Sequence, residues 1–237
     1  MDIRGDRLAI HHKIDIPYLA SLRVYSVYIL CMLRINANKS AKLTPPKTST
    51  AASILVAARE LLDKEGVAAI AMRSVAERVG ITPMAIYRHY SDRASLLNAV
   101  ADAGFHELAN RVKALDLKGV VEQRLMQVAY VFLDAALRFP NLYELMFLVP
   151  REGARVYPRD FKEGRSPTFN PSVSILQEAM RSGELRPDDP VEIAFELSAL
   201  SHGLIVLYLG GRVSQSEREF RSLYKRCFRR YFNGLHP

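Results

Sequence analysis

From Ser53 onward, apolar residues recur along the chain mostly at helical spacing. Ile54, Leu55, Ala58, Leu61 and Leu62 stand at i, i+1, i+4, i+7 and i+8, which predicts a helix over Ser53 to Asp63 that Gly66 ends. Met72, Val75, Ala76 and Val79 repeat the pattern over a shorter stretch. Gly80 then stands where a left-handed C-cap is needed, and Thr82-Pro83 is an N-cap residue followed by the preferred first helical residue. One helix therefore ends at Val79 and another begins at Pro83, with Ile86 and Tyr90 on its inner face and Met84, Tyr87 and Arg88 on the others. Ser91 is expected to cap the following helix, whose apolar positions Leu96, Leu97, Val100, Phe105 and Leu108 continue past Gly104 to a boundary near residue 115.

Beyond that boundary the pattern stays helical. Leu125, Val128, Ala129, Phe132, Leu133 and Ala136 form a broad stripe over Val120 to Arg138, closed by Phe139-Pro140. NLYELMFLV, residues 141 to 149, is nearly all apolar, and residues 150 to 171, with four prolines, form a loop long enough to suggest a function or disorder. A short helix over Ser172 to Arg181 ends at Gly183. The next, Val191 to Leu209, is apolar almost all round, which implies burial in a core plus an interface, and Ser214 to Phe232 closes the chain. The fold class that follows is all-α, with an N-terminal three-helix unit and a C-terminal helical regulatory and dimerisation domain. The expected divisions are residues 1–47 as an N-terminal extension and basic arm, 48–98 as a helix-turn-helix domain, 99–115 as a connecting helix, and 116–237 as the regulatory domain.

Two short helices around a glycine turn, backed by a longer helix, make a helix-turn-helix whose second helix is shaped for a DNA major groove. The same spacing also occurs in small helical domains that read no DNA. The residue types narrow the choice: from Gly66 through GITPMAIYRHYSDRASLL the chain resembles the TetR family of bacterial transcriptional repressors. The resemblance implies that Tyr87 and His89 contact phosphate, while Thr82, Met84 and Arg88 lie nearer the bases. Arg93 stands where the family has lysine and remains an adequate phosphate ligand. Ala71 departs from the usual capping threonine, so Arg73 is the nearby candidate for that phosphate contact. His202-Gly203 is similar to part of a C-terminal pattern in one TetR subgroup, although the tryptophan of that pattern is absent.

Composition alters this picture only a little. A formal net charge of +8 favours a polyanionic partner without requiring one, and Cys31 and Cys227 amount to neither a disulfide framework nor a metal site. The six histidines never pair with cysteine or carboxylate at a ligand spacing, and neither a Gly-rich phosphate loop nor a nucleophile motif is present. No enzyme activity, cofactor, metal or catalytic residue is therefore assigned. In the N-terminal extension, the apolar run VYSVYILCML falls short of the roughly 20 residues that span a bilayer, and no signal-peptide pattern precedes it. A cytoplasmic protein with no membrane partner is expected. Lys39, Lys42 and Lys47, in an arm rich in Ser, Thr and Pro, are candidates either for phosphate contact or for a solvated tail.

The expected partners are double-stranded DNA, a second copy of the chain joined through the last two helices, and a small hydrophobic effector. For the effector the candidate residues are Tyr130, Phe132, Phe139, Tyr143, Met146 and Phe147 from the middle helices, opposite Ser198 and His202. Few charged residues fall on those helix faces, hence the expectation of an apolar ligand. Ordinary core packing would use the same residue types. The function read from the sequence is a transcriptional regulator, a repressor released from a palindromic operator by that ligand. The alternatives are a regulator without an effector and a helical dimeric interaction protein.

Overall fold

A computed structural model describes residues 49–236, so the readings of the N-terminal extension, Lys39, Lys42 and Lys47 included, lie outside the described residues. Within them the fold is all-α. Helix α1 (Thr50–Glu65) starts at Ser49, whose side chain accepts from the Ala52 amide, and stops at Gly66, whose φ of 83° only glycine adopts readily. A 3-10 turn (Val67–Ala69) leads into α2 (Met72–Val79), which ends on Gly80 in the left-handed conformation. Thr82 caps α3 (Pro83–Tyr87), with Pro83 in its first turn. Helix α3 is a single short element, and Arg88 is its C-cap.

The next helix, α4 (Arg93–Lys113), corrects one expectation, because its cap is Asp92 and not Ser91. The Asp92 carboxylate accepts from the Ser95 amide at 2.7 Å, and the Ser95 hydroxyl accepts from the Asp92 amide at 3.2 Å, a reciprocal capping box. A carboxylate suits the positive end of a helix better than a hydroxyl does. Gly104 lies inside α4 because α6 comes close there: a Cβ on Gly104 would meet the Met146 sulfur at 2.6 Å and Leu142 at 3.1 Å.

Helix α5 (Val121–Arg138) turns through Phe139 directly into α6 (Pro140–Phe147). The long loop that follows contains one turn of helix, α7 (Arg159–Lys162), before α8 (Asn170–Arg181). Asp189 caps α9 (Pro190–Leu209), and Ser216 with Glu219 forms the capping box of α10 (Glu217–Asn233).

Two apolar clusters hold these elements. One gathers Ile54, Leu62, Ile70, Val75, Ile86 and Leu96 from the first four helices, and it is completed by Leu142, Leu145 and Met146 of α6. Helices as short as α2 and α3 cannot bury a core by themselves, so α6 acts as the floor of the N-terminal unit. The other cluster joins α5, α8, α9 and α10 around Leu133, Leu176, Ile205, Phe220 and Tyr224. In it the Tyr224 hydroxyl is hydrogen-bonded to Ser201 at 2.6 Å and donates to the Ala129 carbonyl at 3.2 Å, so α5, α9 and α10 are latched through one buried phenol.

Helix α9 buries Ile193, Ala194, Leu197, Ser201 and Ile205 on one side. Its other side exposes Ala199, Gly203, Val206 and Leu207 over the C-terminal half, with Glu192 and Glu196 exposed on the same side nearer its start. Among the described residues it is the one helix long and apolar enough to cross a membrane by length and composition. Its inward packing in a helical core accounts for part of that apolar character, and the outer positions from Ala199 onward account for the rest.

Candidate functional site

Two places in the fold combine exposed or cavity-facing groups with chemistry. The first is α3 and the turn after it. Ile86 is fully buried and pins the helix to the core. Around it Met84 is 70% exposed, Tyr87 is 49% exposed, and Arg88 and His89 also face solvent. No hydrogen bond or ion pair among the described residues engages these four side chains. The result is a thioether, a phenol, a guanidinium and an imidazole on one small convex element, each able to meet a groove or a phosphate. The Thr82 hydroxyl accepts from the Ala85 amide at 3.3 Å, which leaves its own proton available to a phosphate oxygen.

The two flanking arginines are placed differently. Arg73 is exposed and paired with Glu77 at 3.0 Å, an exposed contact that a phosphate can displace. Arg93 turns back into the protein: its Nε donates to the Ile70 carbonyl at 2.6 Å and an Nη to the Val67 carbonyl at 2.7 Å. It thereby ties the start of α4 to the turn before α2.

The second place is a cavity of about 810 Å³ between α4, α5, α6, α9 and the long loop. Of the eight residues singled out from the sequence, Phe132, Met146, Phe147, Ser198 and His202 line it. Tyr143, 2% exposed, stands behind His202 and is hydrogen-bonded through its hydroxyl to His202 Nδ1. Tyr130 lies elsewhere, stacked 6.1 Å from Tyr224. Phe139 is also apart from it, under the guanidinium groups of Arg59 and Arg138 at 4.9 and 5.3 Å.

Burial pushes His202 down to about 4, so its ring is neutral at neutral pH. Burial likewise pushes the Tyr143 phenol up. The pair is therefore a neutral hydrogen bond, packed against Phe147 with ring centroids of His202 and Phe147 4.6 Å apart. With Nδ1 engaged, Nε2 is the imidazole atom left for a cavity occupant, and Ser198 stands one helical turn away on the same wall.

Sequence reasoning missed the opposite wall. The loop brings Arg151, Arg155, Arg159 and Arg165 to the cavity, with Asp102 from α4 and Asp160 from α7. The expectation of a weakly charged site was drawn from helix faces, and these arginines have no helical period to reveal them. The one available signal was the length of the loop. Asp160 is buried and pairs with Arg159 at 3.2 Å and Arg165 at 2.8 Å; the Arg159 bond first, then the Val156 amide, holds its carboxyl down at about 2.

Comparison with known proteins identifies the family of both halves of the described chain. Residues 54–100 match the family described as bacterial regulatory proteins, tetR family, and residues 125–231 match a tetracyclin repressor-like C-terminal domain. The chain is similar to the nucleoid occlusion factor SlmA of Marinobacter nauticus, with 26% identity over 145 residues, covering 61% of this chain and 73% of that protein. A Rhodococcus protein of unknown function shares the fold with a TM-score of 0.68 and 24% identity, over 82% of this chain and 100% of the other. FadR of Bacillus subtilis, solved with stearoyl-CoA, has a TM-score of 0.62 and 16% identity, over 78% of this chain and 98% of its own.

Proposed function

This chain belongs to the TetR family and is a TetR-like DNA-binding regulator, and from that premise we propose that it is a homodimeric repressor released from a palindromic operator by a small molecule in the cavity of α4, α5, α6 and α9. The observation that carries the DNA half of this reading is the surface of α3: large groups are held out in water by a helix whose single inward residue, Ile86, is completely buried. Thr82, Met84, Tyr87, Arg88 and His89 are the contacts assigned to it, with Thr82, Met84 and Arg88 nearer the bases and Tyr87 and His89 toward phosphate, and Arg93 remains a candidate phosphate ligand. Arg73 joins them once its exposed pair with Glu77 opens.

A two-fold partner follows from the geometry of operators, because one short reading helix covers only a few base pairs. The outer face of α9 around Ala199, Gly203, Val206 and Leu207 is the surface assigned to it. For the effector, the cavity falls in the size range of small-molecule sites and joins aromatic walls to a few polar groups. FadR, of the same fold, was solved with a bound ligand. The His202-Gly203 pair supports a likeness to the subgroup with that pattern, without its tryptophan. The cavity speaks against a regulator without an effector, and the exposed α3 surface speaks against an interaction protein that has lost DNA.

The test is selection of binding sites from a pool of random double-stranded DNA, followed by titration of the winner against Tyr87→Phe/His89→Ala. An enriched palindrome is expected, with the double variant weakened on specific and random DNA alike and its salt dependence shallower. Failure to enrich any sequence, with the protein folded, would overturn the reading.

A further inference from the structure

We propose that the ligand of this cavity is an amphipathic organic anion, whose apolar body lies among the aromatic side chains and whose carboxylate or phosphate-type head group is taken by Arg151 and Arg155. The inference rests on the reading of the cavity as an effector site and adds the chemistry of what fills it. Four arginines and two aspartates line the cavity, a surplus of two positive charges. Two of the arginines are already answered, since Arg159 and Arg165 both pair with Asp160.

Arg151 and Arg155 have no such partner: among the described residues no carboxylate lies within 4.0 Å of either guanidinium. Arg151 donates one bond, to Asn98 Oδ1 at 3.3 Å, and its Nε is buried with no acceptor. Arg155 donates its Nε to the Arg165 carbonyl at 2.6 Å. Both guanidinium groups lie over the same Phe105 ring, at 5.6 and 5.5 Å from its centre. Burial holds Arg151 below the usual arginine range, with Asp102 opposing that shift and Arg155 adding to it.

Two like charges over one ring, one of them partly desolvated and under-bonded, form a site that an anion completes and a cation cannot enter. The rest of the cavity shows where the body of the ligand goes. Phe132, Phe147 and Phe169 provide apolar walls, and the far polar group, His202, is neutral. One end is therefore cationic and the other is not, which fits a molecule with a single charged head.

The experiment is titration calorimetry on the full chain with decanoate, decyl phosphate, decanol and decyltrimethylammonium, each below its micelle concentration, alongside operator titration in the presence of each. Decanoate or decyl phosphate should bind about ten-fold or more tighter than decanol, and the ammonium compound more weakly still. The two anions report separately which head group is preferred. The Arg151→Gln/Arg155→Gln variant should bind anion and alcohol equally, and Arg155→Gln alone, at an exposed position, should lose part of the preference with the fold intact.

Equal binding of decanol and the anions by the wild-type chain, or an anion preference that survives the double substitution, would overturn the proposal. If decanol binds equally well and still lowers DNA affinity, the effector reading stands and only the anion is wrong. If none of the four binds, or none changes DNA affinity, the effector reading falls with it.

Discussion

The side-chain amide of Asn141 donates to the Leu62 carbonyl at 2.9 Å and to the Asp63 carbonyl at 3.2 Å. Carbonyls in the last turn of a helix lack amide partners within it, and here a residue of α6 supplements those of α1, where the Leu62 carbonyl also accepts from the Gly66 amide. Helix α6 also brings Met146 and Phe147 to the cavity, so one short helix touches both the cavity and the helix-turn-helix scaffold. Asn141 is thereby one polar tie between them.

Asn141→Ala should remove the side-chain donor shared by the Leu62 and Asp63 carbonyls, of which Leu62 keeps the Gly66 amide, and lower stability by about 1 kcal/mol. Urea denaturation checks that value. In the operator assay the variant should also respond less to whatever ligand fills the cavity. An unchanged ligand response with reduced stability would make Asn141 structural only.

Arg93 offers a separation between a fold role and a DNA role. Because its guanidinium holds the Ile70 and Val67 carbonyls, Arg93→Ala should lower Tm. Its exposure limits the loss to about 1 kcal/mol. A purely internal role predicts no change in the slope of log affinity against log salt. A slope reduced by about one, with Tm unchanged, would instead make it a phosphate ligand.

Stability should depend on pH through His202. Its folded value of about 4 lies below the unfolded value near 6.5. Between those values the unfolded chain binds more protons, so the contribution is complete above pH 6.5 and is lost as pH falls from there toward 4. The total is on the order of 3 kcal/mol at most. The lowered carboxyl of Asp160, which is held by Arg159 and the Val156 amide, adds its own loss only below its usual range. His202→Phe should flatten the upper limb of a Tm-against-pH curve and leave the acid limb in place. An upper limb of the same slope would assign it to another group.

Helix α9 predicts the oligomeric behaviour. Leu207 is 48% exposed and Val206 38% exposed, and a Cβ on Gly203 between them and Ala199 would meet nothing in the chain. The wild-type chain should sediment as a dimer at micromolar concentration. Leu207→Glu should give a helical monomer with much weaker operator binding. A Leu207→Glu chain that remains dimeric would move the interface off this face.

The sequence by itself determined most of the elements and the turn between α2 and α3, because those depend on neighbours within a few residues, although the cap of α4 fell on Asp92 instead of Ser91. Gly80, Thr82 and Pro83 mark the turn between α2 and α3 in any context, and the residues around Tyr87 carry a family pattern that local spacing alone does not. The same local logic found Phe132, Met146, Phe147, Ser198 and His202 as groups on inward faces. Only the tertiary structure decided what lies opposite them. Arg151 and Arg155 sit in a loop without periodicity, so nothing in their spacing says that they meet over Phe105, a residue of α4 far away in the chain. The two carbonyl bonds of Arg93 likewise join segments more than twenty residues apart, which a charge in a sequence does not show. Gly104 stands inside a helical pattern with no local reason, and the close approach of Leu142 and Met146 supplies one. Caps and periodicity are short-range properties of a chain, whereas charge balance, close approach and cavity shape arise between segments that only packing brings together.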